Sequence, residues 1–217
     1  MPEILTETEA RITGALIEKE LTTPEYYPLT LNALIAACNQ KTNREPVVSY
    51  TEAMVQKTLD DLREKNLAYV FYGSTSRVPK YKHILDKVLE LERSEISIIC
   101  VLLLRGAQTL GELRGRTDRL YDFSGLGEVN ETLDNLMRRD EPLVAKLERQ
   151  PGQKEVRYAH LLSGEIDVLA YAKEVSSSGS KQADNERLTT LETELENLRS
   201  EFNLFRQSFE EFKKQFE

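Results

Sequence analysis

The chain is poor in the residues that most catalytic and metal chemistry requires. Its 217 residues include only two histidines and two cysteines, and no stretch of eighteen consecutive apolar residues occurs. Each shortage removes a class of function. With His83 and His160 as the whole histidine complement, acid-base relays have little to work with. No glycine-rich phosphate loop, His-Glu-x-x-His helix or Cys-x-x-Cys pair is present, so neither catalysis, a bound metal nor a cofactor is expected. Cys38 and Cys100 each fall in an apolar helical pattern, which predicts buried, reduced thiols. The missing apolar run excludes a membrane-spanning helix, and the opening Met1-Pro2-Glu3-Ile4 lacks the basic-then-apolar order of a signal peptide. A soluble, cytoplasmic protein with no membrane partner is expected.

Positive charge is also scarce. The formal net charge is −8. Residues 1–85 carry 10 basic and 11 acidic side chains, residues 86–162 carry 12 and 14, and residues 163–217 carry 7 and 12. Dedicated DNA-binding domains usually have a basic surplus with which to displace counterions from phosphates. Here any nucleic-acid site must be a local patch.

What the chain does have is an internal duplication. Thr58-Leu59-Asp60-Asp61-Leu62-Arg63-Glu64-Lys65 returns as Thr132-Leu133-Asp134-Asn135-Leu136-Met137-Arg138-Arg139. Each copy is preceded by a Leu-x-x-Leu helix, at residues 31–34 and 110–113, and each ends on a spaced aromatic and histidine, Tyr81-Lys82-His83 and Tyr158-Ala159-His160. Repeats of this size set the architecture.

In the first copy Thr6 and Glu9 mark the start of a helix lined by Ile12, Leu16 and Ile17. The prolines of Thr23-Pro24-Glu25-Tyr26-Tyr27-Pro28 predict an extended connection. A second helix runs from the cap Thr30 to about Asn39. A third opens on the box Ser49-Tyr50-Thr51-Glu52 and buries Val55, Leu59 and Leu62. Strands are predicted at 67–72 and 77–83 around a Gly-Ser-Thr-Ser turn. The second copy repeats the order, with helices at 94–105, after the box Thr109-x-x-Glu112, and at about 127–139. Its strands fall at 143–149 and 155–161, around Pro151-Gly152.

Helix, link, helix, helix, strand, turn, strand is the order of a winged helix, the helix-turn-helix variant with a flanking hairpin. The fold class expected is therefore α+β, mainly α, with two tandem winged-helix domains at 1–86 and 87–175. The second includes a trailing helix at about 164–175, and a Ser/Gly linker follows at 176–183.

Residues 184–217 read as a coiled coil. Leu188, Leu191, Leu195, Leu198, Phe202, Phe205, Phe209, Phe212 and Phe216 alternate by three and four, giving a seam roughly 40 Å long at about 1.5 Å per residue. In a parallel in-register pair, Arg187 meets Glu192, Glu194 meets Arg199 and Glu201 meets Arg206. A centred antiparallel pair instead opposes like charges. A parallel homodimer is expected, with packing onto its own body or onto another protein as the alternative.

A winged helix that reads DNA presents donors from its third helix. Here that face carries Glu52, Asp60, Asp61 and Glu64 beside only Lys57, Arg63 and Lys65. The candidate phosphate contacts are instead Gln40, Lys41, Asn43 and Arg44 in the loop before that helix, with Arg77, Lys80 and Lys82 on the hairpin. In the second copy they are Arg114, Arg116 and Arg119, with Lys154 and Arg157 on its hairpin. About nine residues are expected between the second and third helices of the first copy and about twelve in the second, longer than the usual helix-turn-helix link. The function expected is a non-enzymatic, double-stranded-DNA-associated transcriptional regulator that binds weakly through these patches; the alternative is an adaptor that binds proteins and not DNA.

Three strings carry a resemblance. They are Leu16-Ile17-Glu18-Lys19-Glu20-Leu21-Thr22-Thr23-Pro24, Tyr27-Pro28-Leu29-Thr30-Leu31-Asn32-Ala33-Leu34, and Ala37-Cys38-Asn39-Gln40-Lys41-Thr42-Asn43-Arg44-Glu45-Pro46-Val47. With them the chain resembles the bacterial YceH family through both repeats, to about residue 162. The resemblance implies a paired winged-helix body and brings no catalytic or ligand residue. The acidic, doubled layout is also similar in fold alone to the segregation and condensation protein B family, whose members act mainly through protein contacts.

Overall fold

The computed structural model describes residues 4–72, 78–149, 155–164 and 166. Residues 1–165 make one compact unit, and residues 166–217 make a second, of which only Ile166 is described. The predicted trailing helix, the linker, the heptad residues from Leu188 to Phe216, Arg77 and Lys154 lie outside the described residues.

The fold is α+β with two small antiparallel sheets. Helix α1 (Glu7–Thr22) is followed by a short 3-10 turn at Pro24–Tyr26, strand β1 (Leu29–Thr30), α2 (Leu31–Cys38) and α3 (Glu52–Glu64). Strands β2 (Ala68–Phe71) and β3 (Lys80–His83) follow, then a one-turn helix α4 (Leu85–Val88). The second half has α5 (Arg93–Arg105), β4 (Gln108–Thr109), α6 (Leu110–Thr117), α7 (Leu126–Arg138), β5 (Val144–Leu147) and β6 (Arg157–His160). The strand orders are the same in both copies, β1-β3-β2 and β4-β6-β5.

Polar caps fix where the helices begin. Thr6 Oγ1 accepts from Glu9 N at 3.3 Å while Thr6 N donates to the Glu9 carboxylate at 2.7 Å, and Thr109 and Glu112 repeat the exchange at 3.2 and 2.9 Å. Two N–H groups that the first turn leaves without helical partners are thereby satisfied at each start. α3 differs from expectation. Its cap is Thr51, which accepts from Met54 N, so Ser49 and Tyr50 stay outside the helix. The connection between second and third helices is consequently longer in the first copy, residues 39–51, than in the second, residues 118–125, the reverse of the predicted order.

The duplication reaches individual side chains. Val55, Leu59 and Leu62 of α3 are fully buried, and so are their counterparts Val129, Leu133 and Leu136 of α7. Thr58 and Thr132 both turn inward and donate Oγ1 to the carbonyl four residues back, each at 2.9 Å. Tyr81 and Tyr158 occupy matching inward positions on the central strands, each 4% exposed. Each enclosed leucine contributes about 1.5–3 kcal/mol of transfer free energy, which is why the same stripe recurs in both copies.

The halves share one core. α1 packs on α5 as well as on α2, α3 and β3, and its stretch from Glu9 to Ile17 is buried on every side. Close approach is possible because Gly14 has no side chain: a Cβ there would lie 2.9 Å from Leu104 Cγ and Cδ2. Cys100 Sγ sits 3.5 Å from Gly14 O, Glu45 N donates to Leu104 O at 2.9 Å, and Leu5 N donates to Leu162 O at 2.8 Å. Both cysteines are free and buried. Burial pushes the Cys38 thiol up to about 12 and raises that of Cys100 as well, so neither is a thiolate near neutral pH.

Candidate interaction surface

The loop between α2 and α3 is organised by Arg44, and inward rather than outward. Its side chain is fully enclosed. Nη1 and Nη2 donate to the two Glu18 oxygens at 3.0 and 2.6 Å, Nε and Nη2 donate to Ala37 O at 3.2 and 2.9 Å, and Nη2 also reaches Gln40 Oε1 at 2.9 Å. Burial pushes the Glu18 carboxyl upward, but the Arg44 hydrogen bonds and charge more than offset this and hold it below its ordinary value. Asn43, at φ 59°, accepts from Arg105 through its side chain. Arg44 was expected to meet phosphate. It is instead a buried strut tying the loop to α1, and Gln40 and Asn43 are engaged in the same network.

The remaining predicted cations divide by whether a carboxylate already holds them. In the second copy Arg114 pairs with Asp118 and Asp122, and Arg116 with Glu112 and Gln108. Arg157 donates to Glu112 and to Ala107 O, each at 2.8 Å. On α3, Lys57 pairs with Asp61 at 2.7 Å and Arg63 with Asp60 at 3.0 Å, while Lys65 reaches Glu9 at 2.9 Å. Lys41, Lys80, Lys82 and Arg119 make no ion pair among the described residues.

Lys80 and Lys82 stand beside exposed aromatics that sequence reasoning missed. β2 pairs with β3 so that Tyr69 faces Lys82 and Phe71 faces Lys80. Directly opposed residues lie on one face of a sheet, so the four share the outer face of the hairpin. Tyr69 is 50% exposed and Phe71 46%, while the smaller Ala68 and Val70 turn toward the core. Tyr72 and Val78 extend the apolar surface toward the turn, at 69% and 53%. β2 thus exposes its largest apolar side chains, the reverse of what burial favours, and such patches mark contact surfaces.

The two histidines differ. His83 is buried, with Nε2 2.5 Å from Glu20 Oε2 and Nδ1 3.7 Å from Asp86, and its backbone N–H donates to the Tyr27 hydroxyl at 2.8 Å. The His83 ring set against it is the main reason that the Glu20 carboxyl lies below its ordinary value. His160 has no such partner. Its Nδ1 is enclosed without a hydrogen bond, and burial pushes its pKa down to about 4. Both rings are packing elements that close a sheet against its core.

Among the described residues no group of three or more His, Cys, Asp or Glu side chains could hold a metal ion, and no helix is long and apolar enough to cross a membrane. A surface cleft is lined by Thr6, Glu9, Asp61, Glu64 and Lys65, and a second by Glu90, Glu92, Ser94, Glu95, Asn135, Arg138 and Arg139.

The family model described as "Protein of unknown function, DUF480" matches residues 5–153. A UPF0502 protein of Geobacter sulfurreducens is 48% identical over 220 residues, covering all of both chains. One of Koribacter versatilis is 51% identical over 199 residues, covering 91% of this chain and 92% of the relative. One of Opitutus terrae is 55% identical over 166 residues, covering 76% and 72%. With a model match over most of its compact unit and full-length relatives at nearly half identity, the chain belongs to the DUF480 family, whose bacterial members are called UPF0502 proteins.

Proposed function

We propose that the chain is a non-enzymatic interaction protein, built from two winged-helix units, that engages other proteins rather than reading duplex DNA. The helix order, the two hairpins and the repeated sheet topology support the winged-helix assignment. The observation that carries the choice of partner is the disposition of the cations. Arg44, Arg114, Arg116 and Arg157 are held by carboxylates of the chain itself, as are Lys57, Arg63 and Lys65. The buried Arg44 pair would have to be broken for a phosphate to reach it, and the exposed pairs, though individually weak, leave a carboxylate beside each cation to repel an incoming phosphate. The exposed aromatics of β2, by contrast, are residues suited to protein interfaces.

The heptad pattern of residues 188–216 supports a parallel homodimer, in which two bodies act together. Sedimentation of the full chain is expected to give a dimer mass, and a chain ending at Gln182 a monomer. Identical monomer masses would end the pairing proposal. The cytoplasm is the compartment that two reduced, buried thiols suit.

A second reading rests on Lys41, Lys80, Lys82 and Arg119, which leave room for weak phosphate contact with duplex DNA. Affinity purification of the tagged full chain from its host, with and without nuclease, separates the two. A protein partner retained in stoichiometric amount after nuclease supports the adaptor; loss of every partner supports DNA.

A further inference from the structure

We infer that the outer face of the first hairpin is a docking site for an acidic protein segment that bears apolar side chains. The inference rests on the adaptor reading and names its surface and partner chemistry. Tyr69 and Phe71 stand two residues apart on β2, roughly 7 Å along the strand, and Lys82 and Lys80 face them across the ladder, roughly 5 Å away. The arrangement presents two apolar contacts in one row and two positive charges in the next.

The duplication supplies an internal control. The pairing register makes Ala145 and Ala159 the counterparts of Tyr69 and Lys82, and Leu147 and Arg157 those of Phe71 and Lys80. Leu147 is buried and Arg157 is held by Glu112. The same sheet therefore forms without the exposed aromatic and lysine quartet, so the first copy's quartet is not a requirement of folding.

Charge and geometry select the occupant. An acidic segment with apolar side chains matches the two lysines and the two aromatic rings together, whereas a phosphate backbone brings one charge per nucleotide and answers the lysines alone. Strand addition along the β2 edge is disfavoured because Ala68 is only 2% exposed, which closes that edge at one end. The partner therefore lies across the face.

The test is a heteronuclear NMR titration of the full chain with three probes. These are the peptide EDFELDE, its charge-inverted counterpart KKFKLKK, and a ten-residue oligothymidylate. The acidic peptide is expected to bind with a dissociation constant on the order of 10⁻⁴ M, shifting the amides of residues 69–71 and 80–82. The double variant Y69A/F71A is expected to weaken it at least tenfold. K80E/K82E is expected to exchange the preference, losing EDFELDE and gaining KKFKLKK. The two aromatics are exposed and the two lysines half-buried on the outer face, and unchanged amide spectra elsewhere will show that the variants fold. No shift at millimolar EDFELDE, equal binding of both peptides, or tighter binding of the oligothymidylate would each overturn the inference. A nuclease-resistant protein partner that Y69A/F71A still retains would remove this surface and leave the adaptor reading intact. Loss of every protein partner would remove both.

Discussion

Replacing Arg44 by alanine is expected to destabilise the body rather than to weaken any external contact. The guanidinium is fully enclosed, and its removal leaves the Glu18 carboxylate, itself 14% exposed, with only Lys19 nearby at 3.6 Å. Ala37 O and Gln40 Oε1 lose their donor at the same time. Breaking a buried pair from one side costs about 3–5 kcal/mol because a charge is left behind without compensation. For a unit of this size each kcal/mol lowers the melting temperature by about 2–4 °C, so R44A should melt about 6–20 °C below the parent. Removing both charges, as in E18Q/R44M, should cost less than R44A alone, since no buried charge is then stranded. Differential scanning calorimetry at neutral pH measures all three. An R44A chain that melts within about 1 °C of the parent would refute the reasoning and return Arg44 to the surface.

Three further outcomes follow from the packing. G14A places a Cβ 2.9 Å from Leu104 and 3.1 Å from Leu103 Cβ. Overpacking of about 1–3 kcal/mol should exceed the gain of about 1 kcal/mol in helix propensity, lowering stability in urea titrations. L59A and L133A, equivalent positions of α3 and α7, should each cost about 2–5 kcal/mol and should each shift one shared calorimetric transition, because the halves have a common core. Two separable transitions, only one of which moves, would contradict that. His160 is held neutral with a pKa near 4, below an ordinary value of about 6.5, so its contribution is present above about 6.5 and is lost as pH falls toward 4. H160N should therefore remove about 2–3 kcal/mol of the stability difference between pH 7.5 and pH 4. H160N keeps a shallower acid slope from Glu18, whose depressed carboxyl likewise loses its contribution as pH falls.

The three helices of each copy were legible in the sequence because their signals are local, whereas α4 and the 3-10 turn at Pro24–Tyr26, where an extended connection was expected, were not. Thr6 with Glu9, Thr30, and Thr109 with Glu112 are caps, and the buried stripes of α3 and α7 repeat at helical spacing. The two hairpins follow from the same repeats. β1 and β4 were not legible: each is two residues long, and only pairing with β3 and β6 makes it a strand. The start of α3 was misplaced because Ser49 and Thr51 both suit a cap, and the Asn39 side chain, which brackets Tyr50 at 2.7 and 2.9 Å, holds the intervening residues outside the helix.

The interaction surface was half legible. Lys80 and Lys82 were identifiable as outward positions of an alternating strand. Tyr69 and Phe71 were not, since alternation in Ala68-Tyr69-Val70-Phe71 fits either face and aromatic residues ordinarily turn inward. Arg44 was misread for a related reason. A cation in a polar loop looks solvated until the fold brings Glu18, twenty-six residues earlier, against it.

We propose that the body, which ties Arg44, Arg114, Arg116 and Arg157 to its own carboxylates, does not grip duplex DNA. Fluorescence anisotropy of a labelled thirty-base-pair duplex with the full chain, in about 50 mM salt where phosphate contacts are strongest, tests it directly. The expected result is no binding tighter than about 10⁻⁴ M. Micromolar binding whose logarithm falls linearly with that of salt, and which K80A/K82A weakens, would contradict it.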